Sequence, residues 1–244
     1  MGLLGMILAA VLVAVLIAIV IVKFLPLKLR WIASLLLLAL SVFLVVKIWT
    51  GIMEPINFNK NKVKKFAKVV DKLKIIRDAQ VKHFEVTGKY TKDKAALIQF
   101  IDTAKLALTE TTTIVEKENR GGGIIVDVEK RKTDTIGFEP VLKYFKDTDY
   151  KNMFKVPSVE GKEFDVEIGT VEKIPGLVVP TFYVKTEKKD ILKGMNESLV
   201  KQELEAIATD QIKGEYISVG SLEEVTTGGN WPPSYDKKKG EENE

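Results

Sequence analysis

Few residues of this chain have the types and spacing that enzyme chemistry requires. The 244-residue sequence contains no cysteine and one histidine, His83. Thiol catalysis, disulfides and cysteine zinc sites are therefore excluded, and a histidine-centred triad would need His83 as its base. No nucleophile and carboxylate can be assigned to His83 from the sequence, so we interpret it as a partly exposed histidine on a helix.

Carboxylates and a glycine cluster are the other candidates for chemistry. The glycines at 121–123 lie between two strand-like segments and lack the Lys-Ser/Thr of a phosphate-binding loop, which predicts a hairpin turn. The acidic residues alternate with lysines along predicted helices, which is typical of a solvated surface. They are Asp71, Asp78, Glu85, Asp93 and Asp102. We therefore predict no catalytic residue, no metal site, no cofactor and no enzymatic activity.

Two long apolar runs near the N-terminus predict that the chain is anchored in a membrane. Residues 3–22 contain no charge, and residues 31–49 contain only Lys47, near the end of the run. At about 1.5 Å per residue, a helix of roughly 20 residues spans the hydrocarbon core of a bilayer. The sequence therefore predicts a two-helix transmembrane hairpin. Small residues that permit close helix contact lie in the first run: Gly5, Ala9, Ala10 and Ala14.

Basic residues predict the orientation of this hairpin. The connection between the runs carries Lys23, Lys28 and Arg30, and Met1-Gly2 carries none. Because short cytoplasmic loops are enriched in Lys and Arg, this favours an inner-membrane protein whose soluble domain is periplasmic. The lysine-rich residues 60–74 would contact anionic lipid only if they lay on the cytoplasmic side. The net charge of +4 is mixed in sign along the chain and predicts no nucleic-acid partner.

The rest of the chain predicts a small α+β domain. Residues 60–85 show the apolar stripe of a long amphipathic helix, and Gly88 suits its left-handed stop. A short helix capped by Thr91 or Asp93 follows, and the period then changes to that of strands. We predict a hairpin over 108–117 and 124–132, further strands over 164–168, 178–185 and 216–222, a helix over 197–208, and a small antiparallel sheet.

Domain boundaries follow from these patterns. We predict a transmembrane hairpin over 1–50, a connector over 51–59, a soluble α+β domain over 60–235, and a disordered charged tail over 236–244. Pro55 is expected to end any helix in the connector.

Aromatic and proline residues near the C-terminus are the candidate partner-binding site. Trp231, Pro232, Pro233 and Tyr235 form a compact group of the types that serve recognition. The same tryptophan would also serve to close a small core. Both interpretations stay open at this point.

Several segments of the chain resemble known protein families. Residues 73–101, with IRDAQ and TGKY, resemble the helix-to-loop segment of type II secretion pseudopilins and type IV pilins, although the prepilin leader is absent. The chain also resembles a functionally uncharacterised family of membrane-anchored proteins of the Bacteroidota. That resemblance is carried by MEPINFNK, TGKYTKD, YKNMFKVP and YISVGSLEEVTTGGNWPPSYD. It implies an anchor followed by an envelope-facing domain and transfers no activity.

The favoured hypothesis is a non-catalytic, membrane-anchored scaffold or assembly subunit of a cell-envelope complex. Its expected partners are the lipid bilayer and other membrane or envelope proteins, including further copies of itself. The alternative is an envelope-facing module that binds a ligand or a cell-wall fragment. A third hypothesis is a hydrolase using Asp71, Asp78 and Glu85.

Overall fold

The computed structural model describes residues 15–20, 23, 26, 29–119, 125–205 and 210–236. The chain divides into two units, Met1–Asn59 and Lys60–Glu244. The coarse fold prediction is confirmed, because the chain is α+β, with one long helix that is apolar at its N-terminal end and small antiparallel sheets.

Helix α1, Arg30–Thr87, begins with an apolar segment that has the length and composition of a membrane span. Its apolar side chains are exposed, including Trp31 and Trp49 at 67% and 68%. These two indoles are about 27 Å apart along the helix axis, close to the thickness of a hydrocarbon core, and tryptophan is enriched at membrane interfaces. The segment is compatible with a membrane anchor.

The two-helix hairpin is not shown by the structure. Within the described residues, α1 is the one candidate span. Residues 15–20 of the first apolar run are helical, but most of that run lies outside the described residues. Its predicted helix-contact residues, Gly5, Ala9, Ala10 and Ala14, all lie outside them.

The prediction that Pro55 ends the helix is wrong. Residues 51–59 are helical, and α1 continues through Pro55. A proline inside a helix removes one hydrogen bond and costs about 3 kcal/mol. The lost bond would have reached the carbonyl of Gly51, which is exposed. The sequence rule is therefore overridden by the many other hydrogen bonds of a 58-residue helix.

The second half of α1 carries the apolar stripe that the sequence predicts. Its buried positions recur at helical spacing: Phe66, Val69, Val70, Leu73, Ile76 and Ala79. The helix ends as predicted at Gly88, which has a φ of +71° and donates its N–H to the Phe84 carbonyl at 2.8 Å. Helix α2, Lys94–Thr103, follows, and Asp93 caps it by accepting from the backbone N–H groups of Ala95 and Ala96.

Two antiparallel sheets follow α2. Strands β1, Lys105–Asn119, and β2, Ile125–Pro140, form a two-stranded sheet with a bulge at Leu108/Thr109. Strands β3, Asp165–Ile174, β4, Leu177–Glu187, and β5, Tyr216–Gly220, form a three-stranded sheet in the order β3-β4-β5.

Pro180 lies in the middle strand of this second sheet, although the sequence favours an edge or a bulge there. It is tolerated because β5 pairs only with Tyr183 to Glu187, so β4 has a single neighbouring strand at Pro180. The local prediction is thus correct even though β4 as a whole is central.

Short helices complete the second unit. They are the 3₁₀ turns Val141–Phe145, Tyr150–Asn152 and Pro233–Tyr235, together with α3, Lys188–Ile191, and α4, Glu197–Leu204. Helix α4 is capped by the Asn196 side chain, which accepts from the N–H groups of Ser198 and Leu199. Residues 138–140, expected to be helical, belong to β2.

Candidate functional site

The C-terminal aromatic and proline residues are built into the second unit. Trp231 is 8% exposed and Pro232 is buried, whereas Pro233 is exposed and Tyr235 is half-buried. The indole N–H of Trp231 donates to Asp236 Oδ1 at 3.1 Å. The structure therefore places most of the indole out of reach of a partner, and the partner-binding role of the four residues stays a prediction.

Lys74 of α1 fixes this segment. Its ammonium donates to the Tyr235 carbonyl at 2.6 Å and pairs with Asp236 at 2.9 Å. Burial raises the pKa of Asp236, but the hydrogen bonds from Lys74 and Trp231 outweigh it, so the pKa lies below its usual value. Gly229 lies against the Trp231 ring, where a Cβ atom would stand 2.2 Å from it, so only glycine fits.

A buried charge cluster connects α1, α3 and α4. The Glu203 carboxylate lies between two ammonium groups, with Lys62 at 2.6 Å and Lys188 at 3.3 Å. Lys188 is fully buried, and the other two are at most 6% exposed. Burial lowers the pKa of Lys188, while the Glu203 charge opposes part of that shift. Burial, with a smaller contribution from the Glu203 charge, raises the pKa of Tyr235 to about 12.

The ammonium of Lys188 is fully engaged within this cluster. The ammonium of Lys188 donates to the Glu203 carboxylate, the Glu203 carbonyl and the Ile212 carbonyl. An ammonium has three donors, so all of them are used. The sequence reasoning missed the cluster, because Lys62 and Glu203 are 141 residues apart and no local pattern links them.

His83 also has a structural environment. Its Nδ1 lies 2.6 Å from the Lys89 carbonyl, so this nitrogen carries the proton, and its ring meets Phe100 edge-on at 4.8 Å. These contacts hold the loop after α1 against α2.

The carboxylates predicted to be solvated do not converge. Asp78 pairs with Arg77, Glu85 pairs with Lys82, and Asp102 accepts from the Tyr150 hydroxyl at 2.6 Å. Asp71 is exposed, and Asp93 caps α2. Among the described residues, no group of three or more His, Cys, Asp or Glu side chains could hold a metal ion.

The lysine-rich start of the second unit is divided between interior and surface. Lys62 reaches Glu203, and Lys65 donates to the Ile191 carbonyl at 2.8 Å. Lys60, Lys64 and Lys68 recur every fourth residue on the exposed side of α1. The lysines that face inward stabilise the fold and cannot contact lipid.

The feature that the structure adds is the isolated β1–β2 sheet, here called the ribbon (105–119 and 125–140). Its strands pair along 15 positions from Lys105↔Pro140 to Asn119↔Ile125. Large apolar side chains on it are exposed, with Phe138 at 69%, Ile136 at 66% and Val115 at 60%. Cross-strand contacts such as Glu116–Lys130 at 2.6 Å hold the two strands together.

Both edges of the ribbon are unpaired in the part of the chain that the structure describes. Each edge presents backbone N–H and C=O groups that another strand can bind. The side chains of 109–118 are all exposed, so no described element covers this part of β1. The ribbon is therefore the strongest candidate for an interaction surface.

Comparison with known protein families, curated proteins and solved structures finds no match to this chain.

Proposed function

We propose that this chain is a membrane-anchored scaffold or assembly subunit of a cell-envelope complex. The anchor is the predicted two-helix hairpin in the inner membrane, and the second unit lies in the periplasm. The apolar segment of α1 supports the anchor, and the basic residues at 23–30 support the orientation.

The observation that carries the proposal is the ribbon with its two unpaired edges. Isolated two-stranded sheets are marginally stable in water, and natural proteins normally cover or guard their edges. A pair of 15- and 16-residue strands whose residues 109–118 are all exposed is explained by a partner that binds it. Strand addition to such an edge is a common mode of protein recognition.

The ligand-binding alternative has less support. A surface groove of about 430 Å³ is lined by Lys92, Lys94, Asp165, Val166 and Glu167. Lys94 is already paired with Glu163 at 2.8 Å. Small-molecule sites are mostly apolar with a few convergent polar groups, and this open groove has charges of both signs.

Shortening the ribbon tests the proposal. Residues 109–136 are replaced by Asn-Gly, which joins Leu108 to Gly137, an existing cross-strand pair, through a two-residue turn. The full-length variant and the parent chain are crosslinked in native membranes, extracted and purified, and the attached proteins are identified. We expect the shortened chain to fold and to lose its crosslinked partners.

The matched control removes exposed apolar side chains from the other hairpin. Ile174 and Leu177, at the tip of β3–β4, are 59% and 48% exposed. Ile174→Ser with Leu177→Ser should retain the partners. Retention of all partners by the shortened chain, or recovery of the parent chain only as an uncrosslinked monomer, would contradict the proposal.

A further inference from the structure

The free edge of β1 differs from the free edge of β2 in charge. Residues 111–115 of β1 are Thr-Thr-Thr-Ile-Val, five uncharged and β-branched residues in succession. In the register of the ribbon, Lys130, Arg131 and Lys132 of β2 lie opposite Ile114, Thr113 and Thr112. Charged side chains on an edge strand oppose pairing with another strand. Residues 130–132 therefore oppose the addition of a strand to the free edge of β2. The free edge of β1 carries no charge over 111–115 and can accept a strand.

We infer that the β1 edge binds the β1 edge of a second copy of this chain, antiparallel, about a two-fold axis at Thr112. The inference rests on the proposed function, because it names a partner for the ribbon. Pairing converts two isolated ribbons into one four-stranded sheet in the order β2-β1-β1-β2. A single two-stranded hairpin is marginally stable, and independent stability requires three or more strands with a hydrophobic face or packing against a helix.

Electrostatic repulsion and symmetry favour β1–β1 pairing over β2–β2 and β1–β2 pairing. Pairing β2 with β2 would place the two Lys-Arg-Lys triplets about 5 Å apart. Pairing β1 with β1 keeps them three strand spacings apart, about 14 Å, which exceeds the Debye length of about 8 Å at physiological salt. Pairing β1 with β2 of the copy is heterologous and leaves an open edge at each end, which produces rings or filaments.

Charge also selects the position of the axis. Two-fold symmetry requires a residue to face itself at the axis. An axis at Thr113 places Glu110 opposite Glu116 of the copy, and an axis at Ile114 places it opposite Glu118. An axis at Thr111 places Lys105 opposite Lys117 of the copy. Like charges directly opposed across strands are destabilising.

The axis at Thr112 avoids all of these pairs. An axis at Val115 also avoids them, but it places the charged residues 116–118 opposite 112–114, so the uncharged segment would no longer be paired with itself. With the axis at Thr112, Thr111 faces Thr113 of the copy, and Glu110 faces Ile114 of the copy. Threonine pairs across strands are favourable. The uncharged segment is thereby paired with itself over most of its length.

The absence of cysteine makes the register directly measurable. Thr112→Cys is introduced into the full-length chain and oxidised in native membranes. The Cα atoms of directly opposed residues are about 4.5–5.5 Å apart, within the range of about 4.4–6.8 Å that a disulfide bridges. We expect a disulfide-linked dimer.

Two single-cysteine controls define the surface. Arg131→Cys lies on β2, opposite Thr113 in the register of the ribbon, so it has nearly the same position along the ribbon as Thr112. Lys105→Cys lies on β1, seven residues from the axis, so it would be roughly 48 Å from its equivalent in the copy. We expect at least tenfold less linked dimer from each control than from Thr112→Cys. Equal yields from the three variants, or the highest yield from Arg131→Cys, would overturn the inference.

A charge variant supplies a second measurement without oxidation. Thr112→Lys places two ammonium groups opposite each other at the axis and should abolish the dimer in mass measurements of the detergent-solubilised chain. Thr133→Lys adds the same charge to β2 and should leave the dimer intact. A dimer that survives Thr112→Lys would contradict the inference.

The outcomes separate this inference from the proposed function. If the shortened ribbon loses other proteins and Thr112→Cys gives no linked dimer, the scaffold stands and the second copy is excluded as its partner. If Thr112→Cys crosslinks but the shortened ribbon keeps its other partners, the dimer stands and the scaffold role of the ribbon is excluded.

Discussion

The C-terminal segment 229–236 has the residue types of a docking site but is packed into the second unit. The ribbon has ordinary strand residues, yet it is exposed. The segment contains Trp231 and three further residues that are typical of docking sites, yet Lys74 and Gly229 fix it within the second unit. The ribbon is rich in Thr, Lys and Glu, and the side chains of its residues 109–118 are all exposed. Residue types associated with recognition can therefore serve packing, while an ordinary strand pair carries the open surface.

The largest expected difference is between the buried charge cluster around Glu203 and the exposed ion pair of the ribbon. Glu203→Gln leaves Lys62 and Lys188 buried without their counter-charge, which should lower the free energy of unfolding by about 3–5 kcal/mol. Glu116→Gln removes the ribbon pair with Lys130, which is exposed, and should leave the free energy of unfolding nearly unchanged. Denaturant unfolding of the full chain in detergent, followed by circular dichroism, measures both. Equal losses would contradict the distinction.

An aromatic truncation in each region sharpens the comparison. Trp231→Ala removes a side chain that is 8% exposed, and we expect a loss of about 3–5 kcal/mol. Phe138→Ala removes a side chain that is 69% exposed, and we expect a change within about 0.5 kcal/mol. Thermal unfolding of the detergent-solubilised chain measures both changes. A stable Trp231→Ala variant would show that the indole does not close the core.

Glycine replacements give a smaller contrast. Gly220 has a φ of +77°, and a Cβ there would stand 2.1 Å from the Phe182 carbonyl oxygen. Gly220→Ala should therefore cost about 1–3 kcal/mol through backbone strain. At Gly137 in the ribbon, the nearest atom would be 4.0 Å away, so Gly137→Ala should change stability by about 0.5 kcal/mol or less. The same thermal measurement distinguishes the two, and a destabilised Gly137→Ala would indicate a tighter ribbon.

The smallest expected effect is a pH dependence confined to the C-terminal segment. The folded chain keeps the Tyr235 proton until a pKa of about 12, whereas an unfolded tyrosine loses it near pH 10. The contribution of this group is therefore complete below about pH 10 and is lost as the pH rises toward 12. The stability difference between the parent chain and Tyr235→Phe should fall across that interval. The shortened-ribbon variant should show the same fall, because no tyrosine lies in residues 109–136.

Local patterns in the sequence predict much of this fold. The apolar stripe of α1 and its stop at Gly88 are confirmed, because both depend on residues close together in sequence. The cap at Asp93 and the strands β3 to β5 follow from the same kind of local signal.

Features that depend on distant residues are not predictable in this way. The continuation of α1 through Pro55 is decided by the helix on both sides of it. The Lys62–Glu203–Lys188 cluster requires three elements to meet. Both strands of the ribbon are predicted, but their greater length and their lack of neighbours are properties of the folded chain.

Hydrogen exchange of the ribbon amides tests the central claim, that a partner covers this surface in the membrane. Exchange of the full chain is measured in native membranes and again as a dilute, detergent-solubilised monomer. We expect stronger protection of the amides of 111–115 in membranes, with a smaller gain for the amides of 130–132, whose edge gains no new strand. Equal exchange of 111–115 in both preparations would contradict the claim.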